Sequence, residues 1–185
     1  MIFVTHMEST PNPDALKYIL NERVLVNGVC QYTSGAEARD DLSRALFAIP
    51  GVVSVYYRDN FITVTKNGSV DWIDVETAIK DEINTRIEVV QIEAQEMPPI
   101  DFGEKQEMID MIEEILDETI RPGLAMDGGG VDIVDLSDTM VLSVHYQGAC
   151  GSCPSSGTGT LKAIENILQE NFDPRISVRI HKPSF

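Results

Sequence analysis

Apolar residues recur along this chain in two rhythms, a period of two over short stretches and a period near 3.6 over longer ones. Phe3 to Met7 and Leu16 to Leu20 read as short strands separated by the Pro11-Asn12-Pro13-Asp14 turn. Ser34 is the expected N-cap of a helix with apolar positions at Leu42, Ala45, Leu46 and Ile49, ended by Pro50-Gly51. Val52 to Tyr57 and Phe61 to Thr65 are β-branched and aromatic runs joined across Arg58-Asp59-Asn60, which predicts an antiparallel hairpin. Trp72, Val75, Ile79 and Ile83 then continue at helical spacing.

From about Val89 to Phe102 the periodicity fades, and Pro98-Pro99 favours an extended connection. Beyond it, Met108, Ile112, Ile115 and Leu116 share one face of a helix predicted over Glu104 to Ile120, stopped by Arg121-Pro122-Gly123. Val131 to Leu136 and Met140 to Gln147 predict two strands around Ser137-Asp138-Thr139. In the second, Met140, Leu142, Val144 and Tyr146 alternate with Val141, Ser143, His145 and Gln147. Leu161, Ile164 and Leu168 mark a further helix, and Ile176 to Ile180 a last strand. The fold class that follows is α+β, with two small domains, each an antiparallel or mixed sheet packed with helices. Residues 1–90 form the first, 91–103 a linker and 104–185 the second.

Composition narrows the function classes. The 185 residues are 43% hydrophobic and 24% charged, which fits a folded chain and not a disordered one. A net charge of −16 repels nucleic-acid phosphates and anionic lipid, so neither nucleic acid nor membrane is an expected partner. No apolar run approaches the roughly 20 residues of a membrane-spanning helix. Up to Gln95 there are 8 basic and 14 acidic residues, against 6 and 16 beyond it, so the acid concentrates in the second half. The N-terminal MIFVTHMESTPNP has neither a basic n-region nor Arg-rich character, which predicts a cytoplasmic protein, although a processed organellar chain would read the same way.

The three cysteines are odd in number and two form a tight pair, unlike a disulfide-stapled secreted domain. That pair lies in Gly148-Ala149-Cys150-Gly151-Ser152-Cys153-Pro154-Ser155-Ser156, between a strand end and a helix start. Cysteines three positions apart can turn both sulfurs to one metal, with glycine letting the backbone curl between them. Pro154 and the serines suit a helix N-terminus, whose dipole would favour thiolate. Soft thiolates select iron–sulfur clusters, zinc or copper(I), and closed sites need about four protein ligands, of which this loop supplies two. Cys150 and Cys153 are the candidate metal ligands, and a symmetric homodimer closes the count most simply. A cluster shared in that way is exposed and readily passed on.

Two rival uses of the pair stay open, a thiol–disulfide oxidoreductase and a zinc-bridged structural module. Cys30 reads as a small hydrophobe, and His6, His145 and His181 have no partner at ligand spacing. No catalytic triad is visible, so an enzyme is not expected. Asp127-Gly128-Gly129-Gly130 lacks the lysine ending of a phosphate loop and reads as a tight turn near the cysteines.

The stretch from Arg121 to Leu168, with its MDGGG turn, hairpin and CGSCPSS loop, resembles the C-terminal domain of the NifU-like (Nfu) iron–sulfur proteins. ESTPNPDALKYIL and LFAIPGVVSVYYRDNFITVTK resemble the N-terminal domain of the same family. The resemblance implies a scaffold or carrier that binds a [4Fe-4S] cluster through Cys150 and Cys153, bridged between two subunits. It also implies delivery to apo iron–sulfur client proteins and loading by an upstream cluster donor. Three successive glycines depart from the family's more usual two glycines followed by an acid.

Overall fold

The computed structural model describes residues 1–87, 92–95, 100–153 and 156–181. It divides into two units, Met1–Glu96 and Met97–Phe185, each with a sheet and helices, as an α+β chain requires. Pro98-Pro99, in the expected linker, lies outside the described residues, as do Pro154 and Ser155.

The first unit runs β1 (Val4–Ser9), β2 (Ala15–Leu20), β3 (Val29–Tyr32), α1 (Asp41–Ala48), β4 (Val52–Arg58), β5 (Phe61–Lys66) and α2 (Trp72–Arg86). Its sheet is antiparallel throughout, in the order β1-β2-β5-β4-β3. Tyr18, Leu20, Val55, Tyr57, Ile62 and Val64 project from one face onto Leu42 and Leu46 of α1 and Val75, Ile79 and Ile83 of α2. The tight β4–β5 connection puts Asp59 at φ 45, a conformation that Asp tolerates better than most residues.

Two expectations for this unit are corrected. Helix α1 starts at Asp41 rather than near Ser34, because Asp40 is its N-cap: Ser43 N donates to Asp40 Oδ1 at 2.7 Å. The other oxygen of Asp40 accepts from Ser43 Oγ, which is 2.7 Å from the buried Tyr57 hydroxyl, so one aspartate fixes both the helix start and its seat on β4. Strand β3, which the apolar pattern left without an assignment, pairs with β4 from Val29↔Arg58 to Tyr32↔Val55. Gln95 lies along its outer edge, accepting from Gln31 N and donating to Gln31 O, while Gln95 N donates to Val29 O.

The second unit begins with a 3₁₀ turn, Gly103–Lys105, and continues with α3 (Gln106–Thr119), α4 (Arg121–Met126), β6 (Gly129–Leu136), β7 (Val141–Gly148), a π-turn (Ser156–Thr160), α5 (Leu161–Asn171) and β8 (Ser177–Ile180). Sheet order is β6-β7-β8, with β6–β7 antiparallel and β7–β8 parallel. Ile112 and Leu116 of α3 and Ile164 and Leu168 of α5 close over Val131, Ile133, Leu142 and Val144. Arg121-Pro122-Gly123 does end α3, but the chain restarts at once as α4. Proline is tolerated in a first turn, where its missing N–H has no helical partner to serve.

Arg121 holds this corner together. Its guanidinium pairs with Glu113 and with Asp117 (2.7 Å), and its Nε donates to the Val131 carbonyl at 3.2 Å. Among the described residues, no helix is long and apolar enough to cross a membrane.

Candidate functional site

The cysteine pair sits where β7 leaves the sheet. Gly148, the last residue of β7, takes φ 59, a left-handed conformation that turns the chain back on itself, and Gly151 N donates to Gly148 O at 3.1 Å. Cys150 thereby points into the second unit's core and is 7% exposed, while Cys153, three residues on, is partly exposed. All three cysteines are thiols.

The glycine run forms the other wall. Gly128, at φ 78, donates to Ala125 O and accepts from Ala149 N at 3.1 Å, which ties the end of α4 to the cysteine loop. Gly129 pairs with Gly148 across the ladder. A Cβ there would lie 2.6 Å from Cys150 Sγ, 2.6 Å from Gln147 O and 2.9 Å from Cys150 N, where no carbon fits. The Asp127-Gly128-Gly129-Gly130 turn is therefore the surface on which Cys150 is seated. The sequence placed the turn near the cysteines but carried no sign of this contact beyond the glycines themselves.

The electrostatics differ from expectation. The helix dipole was expected to favour thiolate, yet the Cys150 thiol is pushed up to about 12, first by burial and then by the negative charge of Asp127 and Cys153. The physical reason is the length of the loop: α5 begins at Leu161, with the π-turn at Ser156–Thr160 ahead of it, so the α-helical dipole does not start at the cysteines. A thiol raised in this way is a poor nucleophile near neutral pH.

The remaining candidates separate from this loop. His145 lies opposite Asp132 across the β6–β7 ladder, on the sheet face opposite Val144 and Tyr146. Asp132 accepts a hydrogen bond from Gln147, and burial raises its pKa above the ordinary carboxylate value against the lowering pull of Arg121 and His145. Cys30 is wholly buried in the core of the first unit, where burial pushes its thiol up. His6 bonds to Glu8 at 3.2 Å on the surface, and His181 is exposed. Among the described residues no group of three or more His, Cys, Asp or Glu could hold a metal ion, so the pair remains a two-thiol site.

Two family models match the chain. One, described as the scaffold protein Nfu/NifU N terminal, covers residues 4–89, and the other, the NifU-like domain, covers residues 112–179. A human relative named NFU1 iron-sulfur cluster scaffold homolog, mitochondrial, is 38% identical over 170 residues, covering 88% of this chain and 65% of the relative. NifU-like protein 5, mitochondrial, of Arabidopsis thaliana is 32% identical, covering 87% and 62%. The NFU1 scaffold homolog of Drosophila persimilis, also mitochondrial, is 33% identical, covering 88% and 59%. The chain thus spans somewhat less than two thirds of the length of these relatives.

Their mitochondrial names overturn the expectation of a cytoplasmic protein. That expectation rested on the opening residues, and a targeting segment is a removable address that leaves no mark on the fold it delivers.

Proposed function

Because this chain belongs to the Nfu/NifU family of iron–sulfur scaffold proteins, with both family domains in order, we propose that it carries an iron–sulfur cluster as cargo and hands it to apo-proteins. The cargo in this reading is a [4Fe-4S] cluster held by Cys150 and Cys153 of one copy and the same pair of a second. An upstream donor loads it, and no catalysis by the chain is involved.

The observation that carries the reading is the seat of Cys150 on Gly129. With no Cβ at Gly129, the backbone at Gln147 and Cys150 closes against β6 and brings the Cys150 sulfur against that strand, and a second, more exposed thiol lies on the same loop. Two thiolates leave a cluster half ligated, which suits cargo better than a permanent electron-transfer centre. The acidic second half and the chain's charge of −16 favour clients or donors with basic faces. Against the oxidoreductase reading stands the raised Cys150 thiol, since a disulfide exchanger needs a nucleophile that ionises near ambient pH.

Anaerobic reconstitution with iron and sulfide tests the proposal. Wild type should become coloured and bind about two iron atoms per chain, half of a shared four-iron cube. Cys150→Ser and Cys153→Ser should bind none, and Cys30→Ser should bind as wild type does. A colourless wild type, or bound zinc in place of iron in freshly isolated protein, would refute it.

A further inference from the structure

Three side chains of β7 face the core of the second unit, Leu142, Val144 and Tyr146, and only the last carries a polar atom. Tyr146 is 4% exposed, and its hydroxyl, fully buried, has no hydrogen-bond partner among the described residues. A hydroxyl buried without a partner is worse than the phenylalanine that would fill the same space, so such an atom calls for a reason.

Its position supplies one. Tyr146 belongs to the same buried cluster as Cys150, and the cysteine loop folds back over its backbone, where a Cβ on Gly151 would lie 3.2 Å from the Tyr146 carbonyl oxygen. Burial and the negative charge of Cys150 both hold the Tyr146 phenol well above its ordinary range, so it stays a neutral O–H donor. A thiol is a weak acceptor, whereas a metal-bound thiolate is a strong one. The buried cluster beneath the loop therefore holds, beside a candidate ligand cysteine, a donor with no acceptor among the described residues.

We propose that Tyr146 is a positioning residue for the cargo, its hydroxyl donating a hydrogen bond to the Cys150 sulfur once that sulfur carries the cluster. The inference rests on the carrier reading above. The hydrogen bond forms on loading and is lost on release, so it slows departure of the cluster. By drawing charge from a ligand sulfur, it also raises the cluster's reduction potential.

Tyr146→Phe removes the oxygen and little else. The unloaded variant should melt at or above the wild-type temperature, because the hydroxyl has no partner to lose. Loaded anaerobically, it should hold the same iron and sulfide per chain but surrender iron to a chelator about tenfold faster, the usual weight of a hydrogen bond to a charged acceptor. It should also show a lower reduction potential and a smaller H₂O-to-D₂O shift of the iron–thiolate stretch. If wild type loads and the variant matches it in chelation rate, potential and isotope shift, the role of Tyr146 is overturned and the carrier reading stands. A lowered melting temperature in the unloaded variant overturns it equally, since the hydroxyl would then already be bonded. A wild type that takes up no iron overturns the carrier reading, and the role of Tyr146 with it.

Discussion

A Cβ on Gly129 would lie 2.6 Å from the sulfur of Cys150 and 2.6 Å from the carbonyl oxygen of Gln147. The second contact is with backbone in the β6–β7 ladder, so rotating the cysteine side chain away cannot relieve the crowding. Gly129→Ala should therefore push the cysteine loop off the sheet. We expect a loss of about 1–3 kcal/mol in unfolding free energy, the range for overpacking a well-filled site, together with reduced iron uptake. Gly123→Ala in α4, where an added Cβ meets nothing within 4 Å, is the control and should be neutral or slightly stabilising. Denaturant unfolding and iron analysis of the two variants check both outcomes.

The two thiols of the loop should react unequally. Cys150 is buried, and its thiol is pushed up to about 12, whereas Cys153 is partly exposed. At pH 8, iodoacetamide should label Cys153 at least about tenfold faster than Cys150, a conservative figure given the scarcity of thiolate at the latter. Peptide mapping over time reads the ratio. In the carrier reading a metal displaces the Cys150 proton, so loading should also strengthen steadily from pH 7 to pH 9 without levelling off at the ordinary thiol value.

Arg121 joins α3, α4 and β6 through two carboxylates and one carbonyl. Lysine offers a single ammonium in place of that fork, so Arg121→Lys should cost about 1–3 kcal/mol, and Arg121→Ala at least as much. The corner precedes the glycine turn, so both variants should also lower the yield of loaded protein. Thermal unfolding and iron content measure the two effects.

Asp132 gives a pH dependence of definite sign. Burial raises its pKa in the folded protein, opposed by Arg121, His145 and the Gln147 hydrogen bond and assisted by Glu113. Folded protein holds the proton to higher pH than the unfolded chain does. Its contribution therefore favours folding at low pH and is lost as pH rises from the ordinary value of 3.8 through the folded one. Asp132→Asn, which can still accept from Gln147, should be more stable than wild type at pH 7, with the advantage vanishing below pH 3.8. Urea unfolding at the two pH values decides it.

Much of this architecture was legible because it follows from single-chain periodicity. Met108, Ile112 and Leu116 marked α3, and the alternation through Leu142, Val144 and Tyr146 marked the inner face of β7. What was hidden depends on partners distant in sequence. Four-residue β3 acquires its identity only by pairing with β4, and α1 starts where Asp40 meets both Ser43 and Tyr57. At the candidate site, the sequence carried the spacing of Cys150 and Cys153. The seating of Cys150 on Gly129, its raised thiol and the stranded Tyr146 hydroxyl did not, because each arises where β6, β7 and the loop are brought together in space.

The measurement that bears most directly on the carrier reading is the mass of the anaerobically loaded protein under native conditions. Two chains carrying one cluster of four irons and four sulfides, dissociating to single chains when the cluster is chelated, is the result expected from two thiols per copy. A single chain holding a complete cluster, or a pair of chains containing no iron, would contradict it.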